Sequence, residues 1–210
     1  MNSNMQVERF SLKAIEKEQL EKTYEVAQKV HQEKPFDAAH DWDHHLAVSK
    51  NGLEIIYLEG LQDRIDIPVF FAAASFHDLE RGSKGHDLAV QKMKEAGFDD
   101  QFVTRVVDLI NEHSFADTQV TLAGKVLWAA DKIEYLSVDR SKKSTAELPK
   151  DQLDAYVRMW SERIMPVIDK FKNIGLPKAY DLFKDKFTQL SEYIISSKPE
   201  YKDLIEGIEL

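Results

Sequence analysis

Apolar positions recur at three- and four-residue intervals along nearly the whole chain, and no segment alternates over the length of a strand. That rhythm predicts an all-α protein. Ser11 is placed to cap a first helix reaching about residue 33, with Leu20, Tyr24, Ala27 and His31 on one stripe and Pro35 ending it. Asp41 or Asp43 can cap a second helix, stopped by Gly60. Pro68 suits the first turn of a third, which carries the apolar run 67–76 and ends near Leu79. Segment 81–85 reads as a flexible loop, and a short helix over 86–96 is halted by Gly97.

Asp99 or Asp100 caps the next helix, whose Val103, Val106, Val107 and Ile110 share a face. Thr121 caps another, with Leu122, Val126, Ala129 and Ile133 inward. Two longer helices follow Pro149. One is kinked at Pro166, and the other starts near Pro177 with Tyr180, Phe183, Phe187, Leu190 and Ile194 on it. The polar stretch 140–150 is expected to be a mobile loop. With 210 residues one buried core suffices. The expected organisation is a single domain over 1–210, with its core at about 20–140 and the C-terminal helices over 150–196 laid on it.

Composition narrows the function. Lys and Arg total 28 against 37 Asp and Glu, a net charge of −9, which argues against a nucleic-acid polymer as partner. The chain has no cysteine, hence no disulfide, thiolate ligand or thiol nucleophile. The first residues lack a basic region followed by an apolar core, and the longest apolar run is too short for a bilayer. A soluble, cytoplasmic protein is expected.

Candidate chemistry starts at His77 and Asp78, adjacent at the end of that apolar run. Buried ionisable groups are costly unless they are paired or bind a metal. Upstream lies His40-Asp-Trp-Asp-His44-His45, and downstream Ala129-Ala130-Asp131-Lys132. His44 and His45 would diverge by about 100° around their helix. Imidazole and carboxylate without thiolate suit a divalent ion such as Mn, Fe, Mg, Co or Zn. Facing helices of a bundle are a common frame for such a site.

An upstream His, then His77-Asp78, then a distant Asp131 in an Ala-Asp-Lys context resembles the HD-domain superfamily of metal-dependent phosphohydrolases. The resemblance covers roughly residues 40–140. It implies an HD-type helical bundle in which His44, His77, Asp78 and Asp131 bind one divalent ion (Mn, Mg, Fe, Co or Ni). By the same match His44 is preferred to His45. It further implies hydrolysis of a nucleotide or a similar small phosphate ester or anhydride at a centre that includes Asp78; Glu80, which follows Asp78 at a spacing unlike that of HD nucleotidases, is the candidate proton acceptor. Arg81, Lys132, Arg140 and His86 are the candidate substrate contacts, while Lys84 reads better as a surface ion pair. His113, in Asn111-Glu-His-Ser, matches a position that serves a second ion in two-metal relatives, and His86 is a weaker match to another.

Other readings are plainer. His31 and His40 read as surface or capping residues, and His45 as a packed helix-surface residue. Trp42, Trp128 and Trp160 read as core or cleft wall, Trp42 being near enough to the site to border a nucleobase. Lys142 and Lys143 belong to a solvated loop. Two competing functions share the motif order: an HD-type di-iron oxygenase, and a catalytically silent nucleotide-binding module. The aromatic C-terminal helix offers a face for a homodimer.

Overall fold

Asp66 accepts from the Val69 backbone N–H, and Pro68 occupies the first turn, so the chain enters a helix at Ile67 with its end groups satisfied. All ten residues of that helix, Ile67–Phe76, are buried. A helix apolar on every side needs neighbours on every side, and the rest of the N-terminal unit supplies them.

The computed structural model describes residues 7–33, 40–79, 83–113, 118–145 and 148–210. Ten α-helices run through them: α1 Ala14–Glu33, α2 Trp42–Leu58, α3 Ile67–Phe76, α4 Ser83–Glu95, α5 Asp100–Asn111, α6 Leu122–Tyr135, α7 Val138–Thr145, α8 Lys150–Asn173, α9 Pro177–Ser197 and α10 Lys202–Glu206. Single 3-10 turns occupy Val7–Arg9 and Pro199–Tyr201. Among the described residues there is no strand, and no helix is long and apolar enough to cross a membrane. The fold is all-α.

The chain forms two compact units, Met1–Asp131 and Lys132–Leu210. In the first, α3 is the hub, packed against α1, α2 and α5, while α4 covers α5 and touches α1. Close approach to α3 depends on Gly52 of α2. A Cβ there would lie 2.1 Å from Cζ of Phe70, itself fully buried. Asp41 caps α2, Asp99 caps α5, and the Thr121 hydroxyl caps α6 by accepting from Gly124. Gly60 and Gly97 take the left-handed conformation after α2 and α4 (φ 67° and 74°), which favours glycine.

In the second unit α8 and α9 pair through aromatic contacts. Trp160 lies 5.8 Å from Phe187, and Phe171 lies 4.4 Å from Phe183. Pro166 sits inside α8. Tyr201 donates its hydroxyl proton to the Asp154 carboxylate, fixing the final turn onto α8.

Three expectations about elements are corrected. The first helix starts at Ala14, and its free Lys13 N–H is taken by the Glu16 carboxylate (2.6 Å), so Ser11 is not the cap. Ser83, Lys84 and Gly85 are helical, forming the start of α4, and Gly85 is buried. The polar stretch after residue 138 holds α7, whose Lys142 reaches Asp139 (3.7 Å) and lies over the Tyr193 ring (5.3 Å). Lys142 and Lys143 are exposed, but on a helix.

Candidate metal centre

α3 ends at Phe76, and the next residue, His77, is its C-cap. This position lets the His77 ring turn back: its Nδ1–H donates to the Ala74 carbonyl (2.9 Å). In the neutral ring Nε2 then carries the lone pair. Nε2 of His44, on the first turn of α2, lies 3.4 Å from it. Oδ1 of Asp131, on α6, lies 3.8 Å from His44 Nε2 and 3.9 Å from His77 Nε2. Oδ2 of Asp78 lies 3.7 Å from His77 Nε2. Thus three segments, far apart in sequence, bring four donors together.

These spacings suit one shared ion. Two donors each about 2.1 Å from an ion lie about 3.4 Å apart at a tetrahedral angle, and somewhat farther apart at wider angles. The side chains of His44, His77 and Asp131 are buried, at 2%, 0% and 8% exposure, whereas Asp78 is 34% exposed. The centre is therefore closed on one side and open at Asp78. Nε2 of His113, just past α5, donates to Asp78 Oδ1 (3.2 Å), and His40 Nε2 stands 4.0 Å from Asp78 Oδ2. Both line the open rim.

His44 and His77 also form, with His45, a buried group whose ligand atoms all lie within 4.8 Å of one another and can hold a metal ion. His45 is completely buried, which corrects the expectation of a helix-surface residue. Its Nδ1–H donates to the Asp41 carbonyl (2.8 Å), and among the described residues its Nε2 has no hydrogen-bond partner. His31 is buried too, rather than at the surface. Its Nε2–H donates to the Ser75 carbonyl (3.0 Å), and its ring lies 3.9 Å from that of His45. His40 is half-buried, and the cap of α2 is Asp41.

Charge in the cluster follows from burial and proximity. For Asp78, burial works against ionisation, but the neighbouring His77 and the His113 hydrogen bond outweigh it and hold the carboxyl well below its usual range. His113 is opposed by burial, yet the Asp78 carboxylate raises its pKa above 6.5. His45 is driven far below 6.5 by burial first and by His77, His31 and His44 next. A neutral imidazole with a free lone pair is the form that binds metal.

Glu80 and Arg81 fall outside the described residues. His86 sits half-buried on α4, and among the described residues no hydrogen bond or ion pair ties it to the cluster. Lys84 is in the first turn of α4. Lys132 follows Asp131 along α6, and Arg140 lies on α7 with its guanidinium over the Tyr135 ring (5.9 Å). Trp42 sits edge-on to Tyr24 (5.2 Å), so one face of it serves packing onto α1.

Sequence reasoning passed over Glu112. Its carboxylate accepts from the backbone N–H groups of Val120 (2.8 Å) and Thr121 (2.7 Å), joining the end of α5 beside His113 to the start of α6, which carries Asp131. A carboxylate two residues after an apolar face gave no distinguishing signal. No protein-family model, curated protein or solved structure matches the chain.

Proposed function

We propose that the chain is a divalent-metal-dependent phosphohydrolase of the HD type, acting on a nucleotide or a similar small phosphate ester or anhydride. The observation that carries this reading is the convergence of His44, His77, Asp78 and Asp131 within 3.4–3.9 Å steps, in the residue order that resembles that superfamily. A bound divalent ion lowers the pKa of a coordinated water and offsets phosphoryl charge.

The protein's own residues divide that task. His44, His77 and Asp131 form the buried floor, which keeps the donors fixed before any substrate arrives. Asp78, held well below its usual range at the mouth, raises the pKa of His113 and so favours its charged form there. A cationic imidazole at the entrance favours an anionic group approaching from solvent. In the hydrolysis a water oxygen forms the new P–O bond, and the leaving oxygen departs with the electron pair and gains a proton. Lys132 and Arg140 remain the proposed phosphate contacts, because phosphoryl transfer relies on positioning and charge stabilisation.

A second reading has one observation in its favour: His113 approaches Asp78 as a ligand of a second ion would. That arrangement suits an HD-type di-iron oxygenase, and iron content with spectroscopy of the as-purified protein separates the two. The main test is a panel of nucleotides and phosphoesters with Mn, Mg, Co or Ni. Phosphate or pyrophosphate release is expected from the wild type, and a loss of at least about a hundredfold in Asp78→Ala, as for removal of a group that stabilises developing charge. Release that survives Asp78→Ala intact contradicts the proposal.

A further inference from the structure

Nδ1 of His45 and of His77 each donates to a backbone carbonyl three or four residues back, at 2.8 Å (Asp41) and 2.9 Å (Ala74). This arrangement fixes the tautomer and leaves Nε2 unprotonated in each neutral ring. Metal-bound histidines are held in the same way, with the second ring nitrogen tied to a carbonyl or carboxylate. For His77 the free nitrogen faces His44 and Asp131. For His45 it has no hydrogen-bond partner among the described residues, although the residue is completely buried. A buried acceptor without a donor is disfavoured, and an apolar side chain of similar size would fill the position better.

The ring is also held firmly in place. It lies against His31 with centroids 3.9 Å apart, and His31 is pinned to the Ser75 carbonyl. The Ser49 hydroxyl ties the following turn of α2 to the His45 carbonyl. The His45 centroid is 4.8 Å from that of His77 and 4.9 Å from that of His44, and their ligand atoms fall within one 4.8 Å group.

We infer that His45 is a third imidazole donor to the ion held by His44 and His77, and that this nitrogen-rich set makes the centre select a borderline transition metal over magnesium. The inference rests on the metal-centre reading above and deepens it. Magnesium prefers oxygen donors in an octahedron, whereas imidazole suits Zn, Fe, Co and Ni. The family resemblance assigns no role to this position.

Cobalt(II) titrated in the presence of excess magnesium tests the inference, read by the visible cobalt bands and by affinity. The full-length wild type is compared with His45→Phe, which keeps a ring against His31 but removes the nitrogen. Cobalt affinity is expected to fall by about tenfold to a hundredfold, with altered bands and with little change in magnesium affinity. Unchanged bands and affinity in a folded His45→Phe protein would overturn the inference. His77→Ala is the control: if it too retains cobalt, the underlying metal centre fails, and this inference with it. Should His45→Phe not fold, two-bond proton–nitrogen correlation spectra of the wild type decide. One equivalent of zinc should move the His45 Nε2 signal out of the range of an unprotonated imidazole nitrogen, and a stationary signal overturns the inference.

Discussion

His45 contributes to the acid behaviour of the protein. Burial and three neighbouring imidazoles keep it neutral in the folded chain, whereas an unfolded chain would protonate it at about its ordinary value of 6.5. Below that pH the unfolded state binds a proton that the folded state refuses. Stability is therefore fully present above about pH 6.5 and is lost as pH falls toward the folded value. His31, lowered by its own burial, acts in the same direction, and His113, raised by Asp78, acts in the opposite one. Urea midpoints of the metal-free protein at descending pH are expected to drop below pH 6.5, and to drop less in His45→Phe. Equal slopes in the two proteins would show that this imidazole is not the group being titrated.

At the scale of elements, α2 and α3 meet through a glycine. Alanine at position 52 would bring its methyl carbon against the tip of the Phe70 ring, which is enclosed on all sides. The gain in helix propensity is about 1 kcal/mol, whereas overpacking a filled core costs about 1–3 kcal/mol. Gly52→Ala should therefore lower the unfolding free energy by up to about 2 kcal/mol in urea titrations at constant m-value. A variant as stable as wild type would mean that Phe70 has room to turn.

The elements themselves were largely legible because their ends carry local chemistry: Asp41 and Asp99 at N-termini, Pro68 and Pro177 in first turns, Gly60 and Gly97 beyond C-termini. Where local polarity was the only guide it misled. The segment holding α7 is rich in Ser and Lys, and its Lys142 interacts with an acidic residue one turn away on the helix and with a tyrosine on α9. His45 was misplaced for another reason. A helical wheel separates it from His44 by about 100° and assumes one buried face, but α2 is covered by both α1 and α3, so both histidines point into protein. His31 lay on the buried stripe of α1 all along, and only the Ser75 carbonyl across the interface explains why an imidazole is accommodated there.

For the molecule as a whole, the site belongs to the N-terminal unit, Met1–Asp131, and its donors come from segments more than 80 residues apart in sequence. Spacing in the chain shows which residue types are available, but only the packing of α2, α3 and α6 brings them within 4 Å. Lys132 and Arg140 belong to the second unit, Lys132–Leu210. The most direct measurement is the metal content per chain, by native mass spectrometry after loading with cobalt or zinc, of wild type and Asp131→Ala. About one tightly held ion per wild-type chain and none in the variant is the predicted result. An ion retained equally by both, or by neither, would contradict a centre built from His44, His77, Asp78 and Asp131.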